Sequence, residues 1–145
     1  MANLCDNNAY IAHQDSFQIE AVLKAIEDKK LFTTFVPVKE GETQSSTWGT
    51  KWDAFDLYVA DSGIDGTDSF VQVSFNTAWA PPIEFYQAME NLGFTIVAHF
   101  SEPGMQFCGS FENGNEVNYD TSEGIGDVPC EIIAMFGLEQ VDEDE

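Results

Sequence analysis

Apolar and polar positions alternate most regularly from Val71 to Trp79, where Val71, Val73, Phe75, Thr77 and Trp79 are separated by Gln72, Ser74 and Asn76. A period of two puts one set of side chains on each face of an extended strand. Phe94, Ile96, Ala98 and Phe100 repeat the pattern, and so do Met105, Phe107, Gly109 and Phe111. Asn113-Gly114 then supplies a tight hairpin turn leading to Val117 and Tyr119. Earlier, Trp52 to Ala60 carries Phe55, Leu57 and Val59 on one face, and Ala9 to Ala12 is a short apolar run. Leu31, Phe32, Thr33, Thr34, Phe35 and Val36 are aromatic or β-branched but for the first, stop at Pro37, and are expected to form a strand.

Two segments change to helical spacing. Asp15 stands three residues before Gln18, the spacing of a capping box. Phe17, Val22, Leu23 and Ile26 follow on one face, with Lys29 and Lys30 at the negative end of the dipole. Pro81-Pro82 opens a second helix bearing Ile83, Tyr86, Met89 and Leu92, and Gly93 stops it. Asp127-Val128-Pro129 opens a short third helix with Ile132, Ile133 and Phe136. Polar residues 39–47 and 61–68 are expected to be loops.

The order of elements, without internal repeat or linker, predicts one α+β domain over residues 1–138 and an acidic tail over 139–145. An antiparallel sheet with both helices on one face, a C-terminal hairpin and a short helix is the economical architecture. At 145 residues, 43% of them hydrophobic and 13% aromatic, the chain can close a core without staples.

Charge changes the picture. There are 26 Asp and Glu against five Lys and no Arg, a net charge of −21. Such a surface repels nucleic acid and anionic membranes, and the forked side chain best suited to phosphate is missing. The expected partner is therefore a basic protein rather than DNA, RNA or a membrane. Three cysteines (Cys5, Cys108, Cys130) without a C-x-x-C pair argue against a disulfide framework. With no signal-like start and no membrane-length apolar run, the chain is expected in the cytoplasm.

Four motifs occur in order: Asn3-Leu4-Cys5-Asp6-Asn7, Trp48-Gly49-Thr50-Lys51-Trp52-Asp53, Phe75-Asn76-Thr77-Ala78-Trp79-Ala80-Pro81-Pro82 and Glu102-Pro103-Gly104-Met105. Over roughly residues 1–114 they resemble the YubB-type ferredoxin-like family carried by bacterial plasmids and phages. Leu4 stands where that family usually has Trp. The resemblance implies a split β-α-β fold and a mobile-element origin, and it transfers no catalytic residues.

Candidate chemistry is sparse. His13, His99 and the three cysteines lack the paired spacing of structural zinc sites. Asp61, Asp65 and Asp68 lack the twelve-residue calcium pattern. No nucleophile sits in an elbow or helix-start context, and no enzyme, metal or cofactor is expected. Trp48, Lys51, Trp52, Asp53 and Trp79 are the alternative candidates, as a pocket for a flat ligand that the domain would bind or sequester; packing of the indoles is the competing reading.

The leading expectation rests on charge. A compact domain of this length has a radius of gyration of roughly 15 Å and is about 35–40 Å across. A duplex segment of that length carries about 20–24 phosphates, close to the net charge. Glu112, Glu116, Asp120, Glu123, Asp127, Glu139, Asp142 and Glu143 are the candidate partner-binding residues. They would mimic nucleic-acid phosphates and inhibit a host DNA-handling or defence protein. Acidity serving solubility alone is the bland counterpart. The sequence leaves the oligomeric state open.

Overall fold

In the computed structural model the described residues are 4–50, 52–64, 69–122, 124, 126 and 128–137. Strand β1 (Leu4–His13) leads into α1 (Ser16–Glu27) and two short helices, α2 (Leu31–Phe35) and α3 (Gln44–Trp48). Strands β2 (Phe55–Gly63) and β3 (Ser69–Ala78), helix α4 (Ile83–Asn91) and strand β4 (Thr95–Glu102) follow. The hairpin β5 (Phe107–Glu112) and β6 (Asn115–Asp120) and helix α5 (Cys130–Phe136) complete the described elements.

The six strands run β2-β3-β1-β4-β5-β6, with every neighbour antiparallel. The first four in this order form the ferredoxin-like split β-α-β sheet, and the hairpin extends it beyond β4. Register assigns the faces. Ala9 lies opposite both Val73 and Ala98, and Ala98 opposite Phe111. These buried residues therefore share one face, which α1 and α4 cover. On the other face α5 packs Ile132 against Cys108 and Tyr119, and among the described residues no helix covers the β1, β3 and β2 end.

β1 extends beyond the expected Ala9–Ala12 in both directions. Its N-terminal half buries Asn7, a polar residue that hides the apolar pattern. The Asn7 amide is satisfied there, donating to the Thr77 hydroxyl at 2.9 Å and the Cys5 carbonyl at 3.0 Å. A buried amide needs such partners, and β3 provides one of them.

Leu31–Phe35 is helix, not strand. The Asp53 carboxylate accepts hydrogen bonds from the Phe32 and Thr33 amides (3.0 and 3.1 Å) and from the Thr33 hydroxyl (2.8 Å). A distant acid thereby caps α2 and overrides its strand propensity. The expected loop 39–47 also contains the start of α3, where Thr43 and Ser46 form a capping box. At α1 only half of the expected box forms: Asp15 accepts from the Phe17 amide. Phe17 is 75% exposed and so belongs to the outer face, and Leu92 and Met105 are likewise exposed. Asn113 and Gly114 both have positive φ, as a two-residue hairpin turn requires.

Candidate partner-binding surface

The hairpin does not present its acids as one row. Glu116 pairs with Phe111 and Asp120 with Phe107, so both carboxylates stand on the side of the sheet where α1 and α4 pack. Glu112 pairs with Asn115 and points to the opposite side. Side chains one strand position apart fall on opposite faces, which linear order alone cannot reveal. The Glu116 carboxylate accepts from the Asn118 amide at 3.0 Å. Hydrogen bonds from the Ser122 hydroxyl and from the Ser122 backbone N–H at 2.8 Å hold Asp120 below its ordinary pKa. Glu123, Asp127, Glu139, Asp142 and Glu143 lie outside the described residues, as does the acidic tail.

One further acid joins this side without a signal in linear sequence. Glu90, on α4, reaches the Asn113-Gly114 turn: a Cβ on Gly114 would sit 3.9 Å from its Oε1. Burial raises the pKa of Glu90, while a hydrogen bond from the Asn113 backbone lowers it. Glu90, Glu116 and Asp120 thus belong to one side of the molecule.

Cations and acids are segregated along the chain. All five lysines fall between Lys24 and Lys51, whereas nineteen of the 26 acids follow Lys51. Lys24 is occupied locally, 3.7 Å from Glu27 and 3.4 Å from Asp28. From β2 onward the sequence contains no Lys or Arg. The excess of negative charge is therefore greatest in the part of the sequence beyond Lys51.

The tryptophan motifs are mostly structural. Trp48 is 1% exposed, tilted against Phe32, and its indole donates to the Val36 carbonyl at 2.6 Å. Asp53 is committed to capping α2, and the Thr50 hydroxyl donates to the Ala78 carbonyl at 2.8 Å. Trp52 packs near Phe55, and Trp79 is half exposed beyond β3 at a positive φ. Lys51 lies outside the described residues. With Trp48 in the core, the candidate pocket loses its first wall.

No group of three metal-ligating side chains occurs among the described residues. Cys5 and Cys108 are buried, and burial pushes both thiols upward in pKa. His13 accepts from the Asp15 amide at 2.9 Å, and His99 lies 3.2 Å from Glu131. Glu102 is buried at the start of its turn, where its Oε1 accepts from the Gly104 amide at 2.8 Å. Among the described residues no helix is long and apolar enough to cross a membrane.

A pH effect follows from two acids. Burial raises Asp6 and Glu90 above their ordinary values of 3.8 and 4.5. The folded state then holds these protons more tightly than the unfolded chain. Their contribution to stability is full below the ordinary values and is lost as pH rises through the raised ones. Asp120 is shifted the other way, and its contribution is lost only at or below its ordinary range. Thermal unfolding is expected to show a Tm rising as pH falls through the raised values of Asp6 and Glu90 toward the ordinary 3.8 and 4.5, helped by reduced self-repulsion. A Tm that falls steadily over that range would contradict this assignment.

No curated protein and no solved structure matches the chain. A family model, described as the ferredoxin-like domain in Api92-like protein, matches residues 47–144. The match begins in α3 and leaves β1 and α1 outside, although β1 is the strand that joins β3 to β4. Segments on both sides of residue 47 therefore build one sheet. With most of its length matched and its strands in the ferredoxin-like order, the chain belongs to the family of the ferredoxin-like domain in Api92-like protein.

Proposed function

We propose that this domain binds the nucleic-acid-contacting surface of a basic host protein in place of the nucleic acid, and thereby inhibits it. The observation that carries the reading is the segregation of charge. Every lysine lies within residues 24–51, so the chain beyond that stretch, which carries nineteen of the 26 acids, contributes no side-chain cation other than histidine. Glu116 and Asp120 add a geometric element. They share one side of an extended strand, about 14 Å apart at 3.4 Å per residue.

Resemblance to a plasmid- and phage-borne family fits a protein made to blunt a host DNA-handling or defence enzyme. The protein would act in the host cytoplasm, with neither cofactor nor catalytic step. Attraction between opposite charges, steered over a distance, would supply fast association.

Affinity capture from bacterial lysate tests the reading. Basic DNA-binding proteins are expected to be retained at about 0.05 M salt and released by about 0.5 M, because screening shortens the reach of the attraction. Duplex DNA added at low salt should compete for them. Retention of nothing, or retention that duplex DNA leaves unchanged, would defeat the proposal.

A further inference from the structure

We infer that the open face of the sheet, between β2 and α5, is a docking groove for an extended arginine- or lysine-bearing segment of a protein partner. The inference deepens the charge-based reading and rests on it. It assigns a specific place and a specific occupant.

The groove is a cavity of about 440 Å³ with Asp6, Asn8, Asp56, Tyr58 and Asn76 in its lining and Met135 and Phe136 of α5 at its side. Its position follows from topology. α1 and α4 cover one face of the sheet, while α5 packs only on the β4, β5 and β6 part of the other. Among the described residues no helix lies over the remaining part, above β1, β3 and β2.

Polar groups there are ordered across three strands. Asp6 on β1 lies opposite Asn76 on β3, and the Asn76 amide donates to the Asp56 carboxylate of β2 at 3.2 Å. Asp56 adopts a left-handed backbone conformation, φ 53°, ahead of a register shift in the β2–β3 pairing. Bulged positions of this kind re-aim a side chain. Beside them Tyr58 is 66% exposed, a large aromatic with most of its surface uncovered. Tyr10 and Phe70 stack farther along the same face, with ring centroids 5.6 Å apart.

Carboxylates next to an exposed aromatic ring suit a cation. The acids supply charge-assisted hydrogen bonds, and the ring face attracts a guanidinium or ammonium group. Aromatic rings on an open sheet also suit stacked nucleobases. Charge decides between these occupants. No strand of the sheet and no residue of α5 contributes a Lys or Arg, so a phosphate backbone would meet Asp6 and Asp56 unopposed. Partial burial already raises Asp6 above its ordinary pKa, and an arriving cation would offset that penalty.

The test uses the full chain and a short labelled peptide alternating arginine and serine, with Kd read by fluorescence anisotropy. Asp6→Asn combined with Asp56→Asn is expected to weaken binding about tenfold, or about 1.4 kcal/mol. Glu20→Gln combined with Glu40→Gln makes the same change in net charge on the α1–α3 side. It should weaken binding less than about threefold, as expected for diffuse surface charge. Tyr58→Ala should cost about three- to fivefold. Thermal unfolding of each variant separates lost binding from lost fold.

Equal losses for the two double variants would overturn the groove while leaving the charge-based function standing. If the peptide fails to bind the unaltered protein at low salt, both fall. Binding of a single-stranded oligonucleotide that Tyr58→Ala abolishes would replace the proposed occupant with nucleic acid and overturn the inference.

Discussion

Trp48→Ala is expected to destabilise the domain by about 3–5 kcal/mol, the range for removing a large aromatic from a core. Trp48 is 1% exposed, with its ring centroid 5.5 Å from that of Phe32. Phe32 in turn lies 4.3 Å from Phe85 and 5.9 Å from Phe75, between centroids. One truncation therefore removes the support of Phe32, through which α2 packs on α4 and β3. The lost indole also leaves the Val36 carbonyl, just past α2, without its donor at 2.6 Å. An orphaned carbonyl adds about 1–3 kcal/mol if water cannot reach it.

Small domains have total stabilities of about 5–15 kcal/mol, so this loss is a large share. Chemical denaturation measures it directly. Trp48→Phe should fall between the two, because it restores ring area but not the N–H. A loss below about 1 kcal/mol for Trp48→Ala would place the indole outside the core and restore the pocket reading of the tryptophan motif.

Gly109→Ala is the second large effect, and its cause is space rather than backbone freedom. Gly109 lies in β5 between β4 and β6. An added Cβ would stand 2.7 Å from Cζ of Phe100, and it would collide with the Val117 carbonyl of β6. The ring of Phe100 is itself fully buried and has little room to yield. Separation of β6 from β5 is the relief available. We expect a cost of about 2–3 kcal/mol, at the upper end of ordinary overpacking.

The consequence reaches function, because β6 carries Glu116 and Asp120. Hydrogen exchange should quicken in β6 amides while β1 and β3, paired on both sides, keep their protection. Retention of basic proteins from lysate should drop with it. Unchanged exchange in β6 would show that the strand tolerates the methyl group and that the clash relaxes elsewhere.

How far this was readable without coordinates differs from element to element. The alternation of Val71, Val73 and Phe75 is reproduced as the buried side of β3, and the Asn113-Gly114 turn forms as its residues require. Ile83, Tyr86 and Met89 are buried along α4. Such features depend on neighbours a few residues away, where strand and helix periods act directly. Leu31–Phe35 is the counterexample. Its β-branched and aromatic content favours a strand, and a carboxylate 21 residues from Phe32 makes it a helix. Phe17 matches the apolar stripe in spacing yet faces out, since the sheet meets α1 through Ile19, Val22 and Ile26.

By itself the sequence determined the class of fold, the order of its main elements and the sign and size of its charge, including where along the chain the lysines stop. Only the tertiary structure decided which carboxylates share a surface. Strand pairing turned Glu112 away from Glu116 and Asp120, brought Glu90 to the hairpin turn, and set Asp6 and Asp56 on either side of Asn76. The reason is physical: total charge is a sum over residues and needs no geometry, whereas a surface depends on register, and one residue of slip exchanges its two sides.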